Sequence, residues 1–360
     1  MSTLSEVYRD HPLHLHHIAP LDFSAVRTMP DSHVWRPESS NDFSFGELSS
    51  SPVPVIDLGD PNAPELIVQA CETWGVFQLV NHGVLLSHIE EVEYEAGRFF
   101  ALPTRQKLKA LRTPCGATGY GVARITPFFS KYMWHEGFTI MGSPADHVRE
   151  LWPHDHERFC DAMENYQKDM KGLAERLTRL IFDSLKISAE EISWLASTTG
   201  SGGSPPPPST ASTALQLNSY PSCPDPNQAM GLAPHTDTSL LTILHQSETN
   251  GLQVFKPGLG WVLIPPVAGA FVVNIGDILH ILSNARFPNA LHRVVVNGSR
   301  QRFSVAYFYS PPTDYVVSPL YKGLNSGEDN IIPRYRSVAV KEYIGLKAKN
   351  LENALSILRT

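Results

Sequence analysis

Cysteine is scarce in this chain. Cys71, Cys115, Cys160 and Cys223 are the only four among 360 residues, and no two stand at the close spacing of a structural zinc site. Neither a disulfide scaffold nor a zinc ribbon fits, and the thiols read as reduced and intracellular. Positive charge is also short: 29 Lys and Arg stand against 36 Asp and Glu, a formal net charge of −7. A phosphate-backbone binder would concentrate basic charge on one face, so nucleic acid is not expected as a partner. No run approaches the roughly 18 apolar residues of a membrane span, and the opening MSTLSEVYRD lacks the basic-then-apolar order of a signal peptide. The sequence thus predicts a soluble protein of the cytoplasm or nucleus, without a membrane partner. Internal repeats are absent, as are G-x-G-x-x-G, Walker A and G-x-S-x-G patterns, which removes the usual signs of nucleotide or serine-hydrolase chemistry.

What is present is enough apolar material for a sizeable core, at 42% hydrophobic and 18% charged residues. Residues 1–52 are rich in Pro, Ser, Asp and His without a period and predict an extended N-terminal arm. In 53–196, VPVIDL and VFQLV read as strands with a helix between them. Phe159, Met163, Tyr166, Met170, Leu173, Leu177, Leu180 and Leu185 then place one apolar face along a long helix. The Gly/Ser/Pro-rich stretch 197–213 contains no large apolar side chain and reads as a disordered loop. From 214 to 312 the pattern changes to eight short strands, ALQLNSY, LLTILHQ, GLQVFK, GWVLIP, AFVVNIG, ILHILSN, LHRVVVN and RFSVAYFYS, which suggest a sandwich or barrel. Residues 313–360 close with a helix over roughly 338–358. The expected class is mainly β with helical additions.

With 15 histidines, only pattern can single one out. His235-Thr236-Asp237 is the one His-x-Asp, and placed just before LLTILHQ its alternation would send both side chains to one face. His88-Ile89-Glu90 lies in a predicted helix, where residues two apart diverge by about 200°. His292 in LHRVVVN is the best-placed third ligand. Two His and one carboxylate make the facial triad of non-haem Fe(II) oxygenases, with positions left open for substrate and dioxygen; a surface hydrogen-bonded pair is the competing reading of His235 and Asp237. Ten residues past His292 come Arg302 and Ser304, sharing a strand face. A guanidinium fork and a hydroxyl there would hold the far carboxylate of a dicarboxylate cosubstrate.

Asn218-Ser219-Tyr220-Pro221, His235-Thr236-Asp237, His292 and Arg302-Phe303-Ser304 resemble, in order and spacing, the plant 2-oxoglutarate- and Fe(II)-dependent dioxygenases. The resemblance runs from about residue 53 to 312. It implies a double-stranded β-helix, or jelly roll, flanked by helices. It also implies Fe(II) on His235, Asp237 and His292, 2-oxoglutarate on Tyr220, Arg302 and Ser304, O2 as oxidant and ascorbate as a supporting reductant. Within that family HPLHLHH, MPDSHVW, GYGVARI, FFSKYMWHEGFTI and GLAPHTD look like gibberellin 3-oxidases. This implies a gibberellin precursor as the small-molecule substrate, 3-beta hydroxylation as the reaction, and a monomer. Two departures stand out: the PPPP insertion near 205 and Ala285, where relatives usually carry Gly.

A rigid apolar polycycle with one carboxylate asks for an apolar pocket with one cationic or hydroxyl anchor. Arg124, Lys131 and Tyr132 are the candidate anchors, and Phe128, Phe129, Trp134 and Phe138 the candidate walls. The histidines at 11, 14, 16 and 17 read as solvated tail, and Arg105, Lys107, Lys109 and Arg112 as a solvated helix face. A gibberellin 2-oxidase or a flavonoid oxygenase would share the metal chemistry. A non-catalytic cupin-like barrel would share only the metal, and would not need Arg302 and Ser304.

Overall fold

The computed structural model describes residues 3–35, 53–188, 190–195, 211–320 and 332–360. The loop expected at 197–213 and the later part of the N-terminal arm therefore fall largely outside the described residues. The first half of the chain comprises α1 (Leu4–Arg9), β1 (Val55–Asp57), α2 (Ala63–Thr73), β2 (Val76–Val80), α3 (Leu86–Phe100), α4 (Thr104–Lys107), β3 (Gly119–Gly121), β4 (Glu136–Ile140), α5 (Ala145–Val148) and α6 (His156–Ser184). The strand-rich part follows with β5 (Ser212–Tyr220), β6 (Met230–His235), β7 (Leu241–Gln246), β8 (Leu252–Lys256), β9 (Gly260–Leu263), β10 (Phe271–Ile275), α7 (Asp277–Leu282), β11 (His292–Val295) and β12 (Arg302–Ser310). A small ribbon of β13 (Val316–Val317) and β14 (Val338–Ala339) precedes α8 (Val340–Asn350) and α9 (Ala354–Leu358).

Two sheets face each other. The larger has the order β1-β2-β10-β7-β12-β5-β4-β3 and the smaller β6-β11-β8-β9, the arrangement of a jelly roll with its β-edges extended by strands from the first half. Alternation along the central strands divides their side chains between two environments. On β12, Val305, Tyr307 and Tyr309 join the core under the helices, whereas Arg302, Ser304, Ala306 and Phe308 line the space between the sheets. On β5, Leu215 and Leu217 go to the helix side, and Ala214, Gln216, Asn218 and Tyr220 go inward. The helix side is covered by α6, whose Phe159, Met163, Tyr166, Met170 and Leu177 are fully buried. That stripe lies along the apolar face expected from the sequence, where the apolar residues recur at spacings of three to five.

Several expectations are corrected. ILHILSN is not a strand but α7, with Ile278, Leu279, Ile281 and Leu282 all buried; burial all round erases the amphipathic period that would have marked a helix. MGLAPH, which is not among the eight expected strands, forms β6; its Pro234 is tolerated because β6 is a sheet edge. The N-terminal arm is not simply extended. Thr3 and Glu6 form a capping box that starts α1, which packs on α8, and the Ile18 carbonyl accepts from the Val122 amide at 2.9 Å. The terminal helix is broken at Leu351, where φ is +43°.

The supposed solvated face of Arg105, Lys107, Lys109 and Arg112 also fails, because α4 lasts only one turn and cannot present a single face. Lys107 is buried, donating to Glu136 Oε2 at 2.6 Å, and Arg112 is buried beside β3.

Candidate active site

In the smaller sheet β11 runs antiparallel to β6 and sets His292 directly opposite His235, ring centroids 4.3 Å apart. The two imidazoles are oriented alike: Nδ1 lies 2.8 Å from the Ala233 carbonyl in His235 and 3.0 Å from the Ala290 carbonyl in His292. A carbonyl only accepts, so each proton sits on Nδ1 and each Nε2 keeps its lone pair for a metal. Asp237 Oδ1 stands 3.7 Å and 3.9 Å from those two Nε2 atoms. Among the described residues this is the one group of three such side chains able to gather on an ion, its donor atoms all within 4.8 Å of one another.

Burial, reinforced by His292, pushes the His235 imidazole down to about 4, so it stays neutral. Burial alone would raise the Asp237 carboxyl. The facing His292 and His235, with hydrogen bonds from Thr242 and Asn274, prevail and hold it below the usual carboxylate range. Two imidazoles presenting Nε2 and one carboxylate, all from one side, fit Fe(II) with open positions, whereas a structural zinc site would close the fourth.

His235 and Asp237 do not share a strand face as the alternation implied. His235 ends β6, and Asp237 lies beyond it in a loop that must be held from outside. The Asp237 carbonyl accepts from the Asp277 amide at 2.8 Å. Gly276 lets the backbone pass, since a Cβ there would meet the Ser239 carbonyl oxygen at 1.9 Å. Thr236, between the two donors, accepts from Lys347 Nζ at 2.6 Å, and the same ammonium donates to Asp277 Oδ2 at 2.7 Å. Tyr343 and Asn289 complete the shell of Asp277 at 2.8 and 2.6 Å. Nothing in the sequence pattern marked Lys347, which reaches the loop from α8 across 111 positions.

Across the interior, Arg302 pairs with Tyr220 in the β12–β5 ladder and is 2% exposed. Its Nη2 donates to Gln246 Oε1 at 3.0 Å, while Nε and Nη1 are buried without a partner. Buried guanidinium donors on a cavity wall are costly unless an anion meets them, so this end fits the far carboxylate of a dicarboxylate. The Tyr220 hydroxyl is within hydrogen-bonding reach of Arg302 and Ser304. Asn218, two residues before Tyr220 on the same face, donates to Ser304 Oγ at 3.4 Å and accepts from His135 Nε2 at 2.9 Å. Period-two alternation from Tyr220 could have found Asn218; His135 had no such signal.

Both groups open on one cavity of about 540 Å³, a size suited to a small organic ligand. Of the candidate substrate residues, Arg124 and Phe128 line it. Arg124 is held by the Gly116 and His11 carbonyls at 2.8 and 3.1 Å, and stacks 4.3 Å over the Tyr8 ring. Lys131 donates instead to the Asp31 carbonyl, Tyr132 stacks on His33, and Phe129 packs on Trp35. Trp134 is buried with its Nε1 on the Pro221 carbonyl, and Phe138 joins the helix-side core because β4 turns Thr139 to the cavity. These five do not line the cavity. His11 does, and so does Arg112.

Residues 211–311 match the 2OG-Fe(II) oxygenase superfamily model, and residues 53–156 match the model described as non-haem dioxygenase in morphine synthesis N-terminal. Gibberellin 3-beta-dioxygenase 1 of Pisum sativum is 50% identical, covering 100% of this chain and 94% of its own. The protein of the same name from Arabidopsis thaliana is 46% identical over 99% and 98%. Among solved structures, JOX2 in complex with 2OG, Fe and JA superposes with a TM-score of 0.77 at 26% identity, covering 94% of this chain and 96% of that one. No helix among the described residues is long and apolar enough to cross a membrane. With full-length identity at this level, and with a His-Asp-His cluster and a buried arginine facing one cavity, the chain belongs to the 2OG-Fe(II) oxygenase superfamily, among the gibberellin 3-beta-dioxygenases.

Proposed function

We propose that the protein hydroxylates gibberellin precursors at the 3-beta position, with 2-oxoglutarate and O2 as cosubstrates and succinate and CO2 as coproducts. The observation that carries this reading is 50% identity over the whole chain to a gibberellin 3-beta-dioxygenase, joined to a donor set suited to Fe(II). When bound, Fe(II) would activate O2, the oxidant, with 2-oxoglutarate giving up two electrons as it becomes succinate and CO2, and so supply the chemistry that replaces an unactivated C–H hydrogen by hydroxyl.

The residues divide the remaining work. His235 and His292 offer Nε2 lone pairs and Asp237 its carboxylate, and these three residues would hold the ion. Arg302 presents two uncommitted guanidinium donors to the cosubstrate's distal carboxylate, with Ser304 and Tyr220 as hydroxyl partners. Asn218 donates to Ser304 Oγ, which leaves the Ser304 proton free to point toward that carboxylate. Leu232, Leu244, Val294 and Ile278 wall the cavity with apolar surface and exclude water from the reacting face. Arg124 and Phe128 face the polycycle in this reading. The enzyme acts as a monomer in the cytoplasm or nucleus, without nucleic acid, and its four free thiols suit a reducing compartment.

Incubation with Fe(II), ascorbate, 2-oxoglutarate and gibberellin precursors, followed by mass spectrometric location of the new hydroxyl, tests the reading. A hydroxyl at carbon 3 with stoichiometric succinate is expected. A hydroxyl at carbon 2, or turnover of flavonoids alone, would overturn the substrate and leave the metal chemistry standing.

A further inference from the structure

Buried cations in this molecule are handled in two ways. Lys107 and Lys347 each meet a carboxylate, Glu136 at 2.6 Å and Asp277 at 2.7 Å. Arg112, 3% exposed and lining the cavity, meets none among the described residues. Its Nη2 donates to the Val122 carbonyl at 2.8 Å, and its Nε is buried without a hydrogen-bond partner. Its neighbour Arg124 lines the same stretch of wall, where the chain between α4 and β4 meets the segment following α1. Arg124 also forms no ion pair among the described residues; its guanidinium rests on two carbonyls and the Tyr8 ring.

Two guanidiniums side by side in a wall repel each other and lose hydration, and carbonyls do not offset a full charge. Burial first, and then Arg124, pushes the Arg112 guanidinium down to about 9. Arg302 shows the same unfinished bonding, and there the natural partner is the carboxylate of the cosubstrate. By the same physics the second arginine site calls for a second anion from the cavity side.

We propose that Arg112, with Arg124 beside it, is the subsite that binds the carboxylate of the polycyclic substrate. This rests on the gibberellin reading and deepens it: one cavity carries two arginine-lined anion sites, one for each organic acid. The subsite fixes which end of a rigid monoacid lies against the arginines, and therefore which carbon the opposite end offers to the metal centre.

Calorimetric titration of the protein loaded with Mn(II) and 2-oxoglutarate, using a gibberellin acid that lacks the 3-hydroxyl and its methyl ester, tests this. For Arg112→Met the Kd of the acid should rise about 30-fold or more. The Kd of the ester and that of 2-oxoglutarate should stay within about twofold, because neither relies on this charge. Tm of the unliganded variant should hold or rise, since an unpaired buried charge has been replaced by an apolar chain. A merely structural arginine would instead lower Tm and weaken acid and ester alike, and that pattern would overturn the proposal. So would an acid Kd equal to the wild type's. Should Arg112→Met fail to fold, Arg112→Lys keeps the charge and loses the planar fork, and should weaken the acid several-fold with the ester unchanged. Wild-type protein that binds neither acid nor ester would bring down the gibberellin reading itself, an outcome distinct from acid binding that is indifferent to Arg112.

Discussion

The wall that carries Arg302 and the wall that carries Arg112 present the same functional group to one cavity, yet they are built differently. Arg302 stands on β12, whose nine residues all pair with β5 and whose other edge pairs with β7. Arg112 follows a one-turn helix and a 3-10 turn, and its amide is held by the Tyr120 carbonyl of the three-residue β3 at the sheet edge. A central ladder fixes side-chain direction through its register, so a group common to all reactions of this chemistry is placed there. Loops at the mouth can change length and residue without disturbing the ladder, and the group that selects one substrate belongs with them. Changes in the ladder wall should therefore cost chemistry and cosubstrate, and changes in the loop wall should cost substrate alone.

The largest effect tests the side that holds metal and cosubstrate. Asp237→Ala removes the one anionic donor from the cluster and leaves two imidazoles to hold the ion. Turnover should fall by more than about a thousandfold, with Fe(II) content after reconstitution near zero and Tm of the metal-free protein little changed. Near-normal iron and turnover in the purified variant would remove these three residues from the metal site. Next in size is Arg302→Lys, which keeps the charge but not the fork. The KM for 2-oxoglutarate should rise roughly 10- to 100-fold while that for the gibberellin moves little. Equal changes in both constants would erase the division between the two walls.

That same division explains what was legible in the sequence. His292, Arg302, Ser304 and Tyr220 sit on strands, where spacing of two means a shared face, and the family resemblance picked them out in order. The eight-strand pattern was right in kind, yet it mistook α7 for a strand because burial all round leaves no period. At the mouth, proximity comes from loops and from segments distant in sequence: Arg124 meets His11 across 113 positions, and no periodicity encodes that. Of the aromatics grouped in FFSKYMWHEGFTI, Phe128 alone lines the cavity, since neighbours in a turning segment do not share a face. Arg112 was read as solvated because basic residues usually are; only its burial without a carboxylate shows otherwise.

A smaller effect should show that the metal side also depends on a loop. Thr236→Val keeps the shape between His235 and Asp237 and deletes the hydroxyl that accepts from Lys347. With that tie cut, Asp237 is less firmly aimed, and the Kd for Mn(II), read by electron paramagnetic resonance titration, should rise about 10-fold. The gibberellin Kd of the fully loaded enzyme should stay close to wild type. Unchanged Mn(II) affinity would mean that the Asp277 amide alone suffices to hold the loop.

A last effect, read in stability and not in binding, concerns the seam between the walls. His135 immediately precedes β4, is 1% exposed, and donates Nε2–H to Asn218 of β5, while its Nδ1 is buried without a partner. Burial pushes its imidazole down to about 4, against which the Asn218 bond prevails little. The unfolded chain takes up this proton near pH 6.5, so between there and about pH 4 the unfolded state binds more protons than the folded one. The neutral buried ring therefore contributes fully above about pH 6.5. That contribution shrinks as pH falls toward 4, by up to about 3 kcal/mol. His235 titrates in the same direction, so the wild-type curve alone cannot isolate the effect. Comparison with His135→Gln can, because the variant lacks this one proton. Whatever the offset in Tm between the two proteins at pH 7.5, it should move in the variant's favour as pH is lowered to 5. An offset independent of pH would show that His135 holds its proton equally in both states, and that the seam between ladder and loop is wetter than its burial implies.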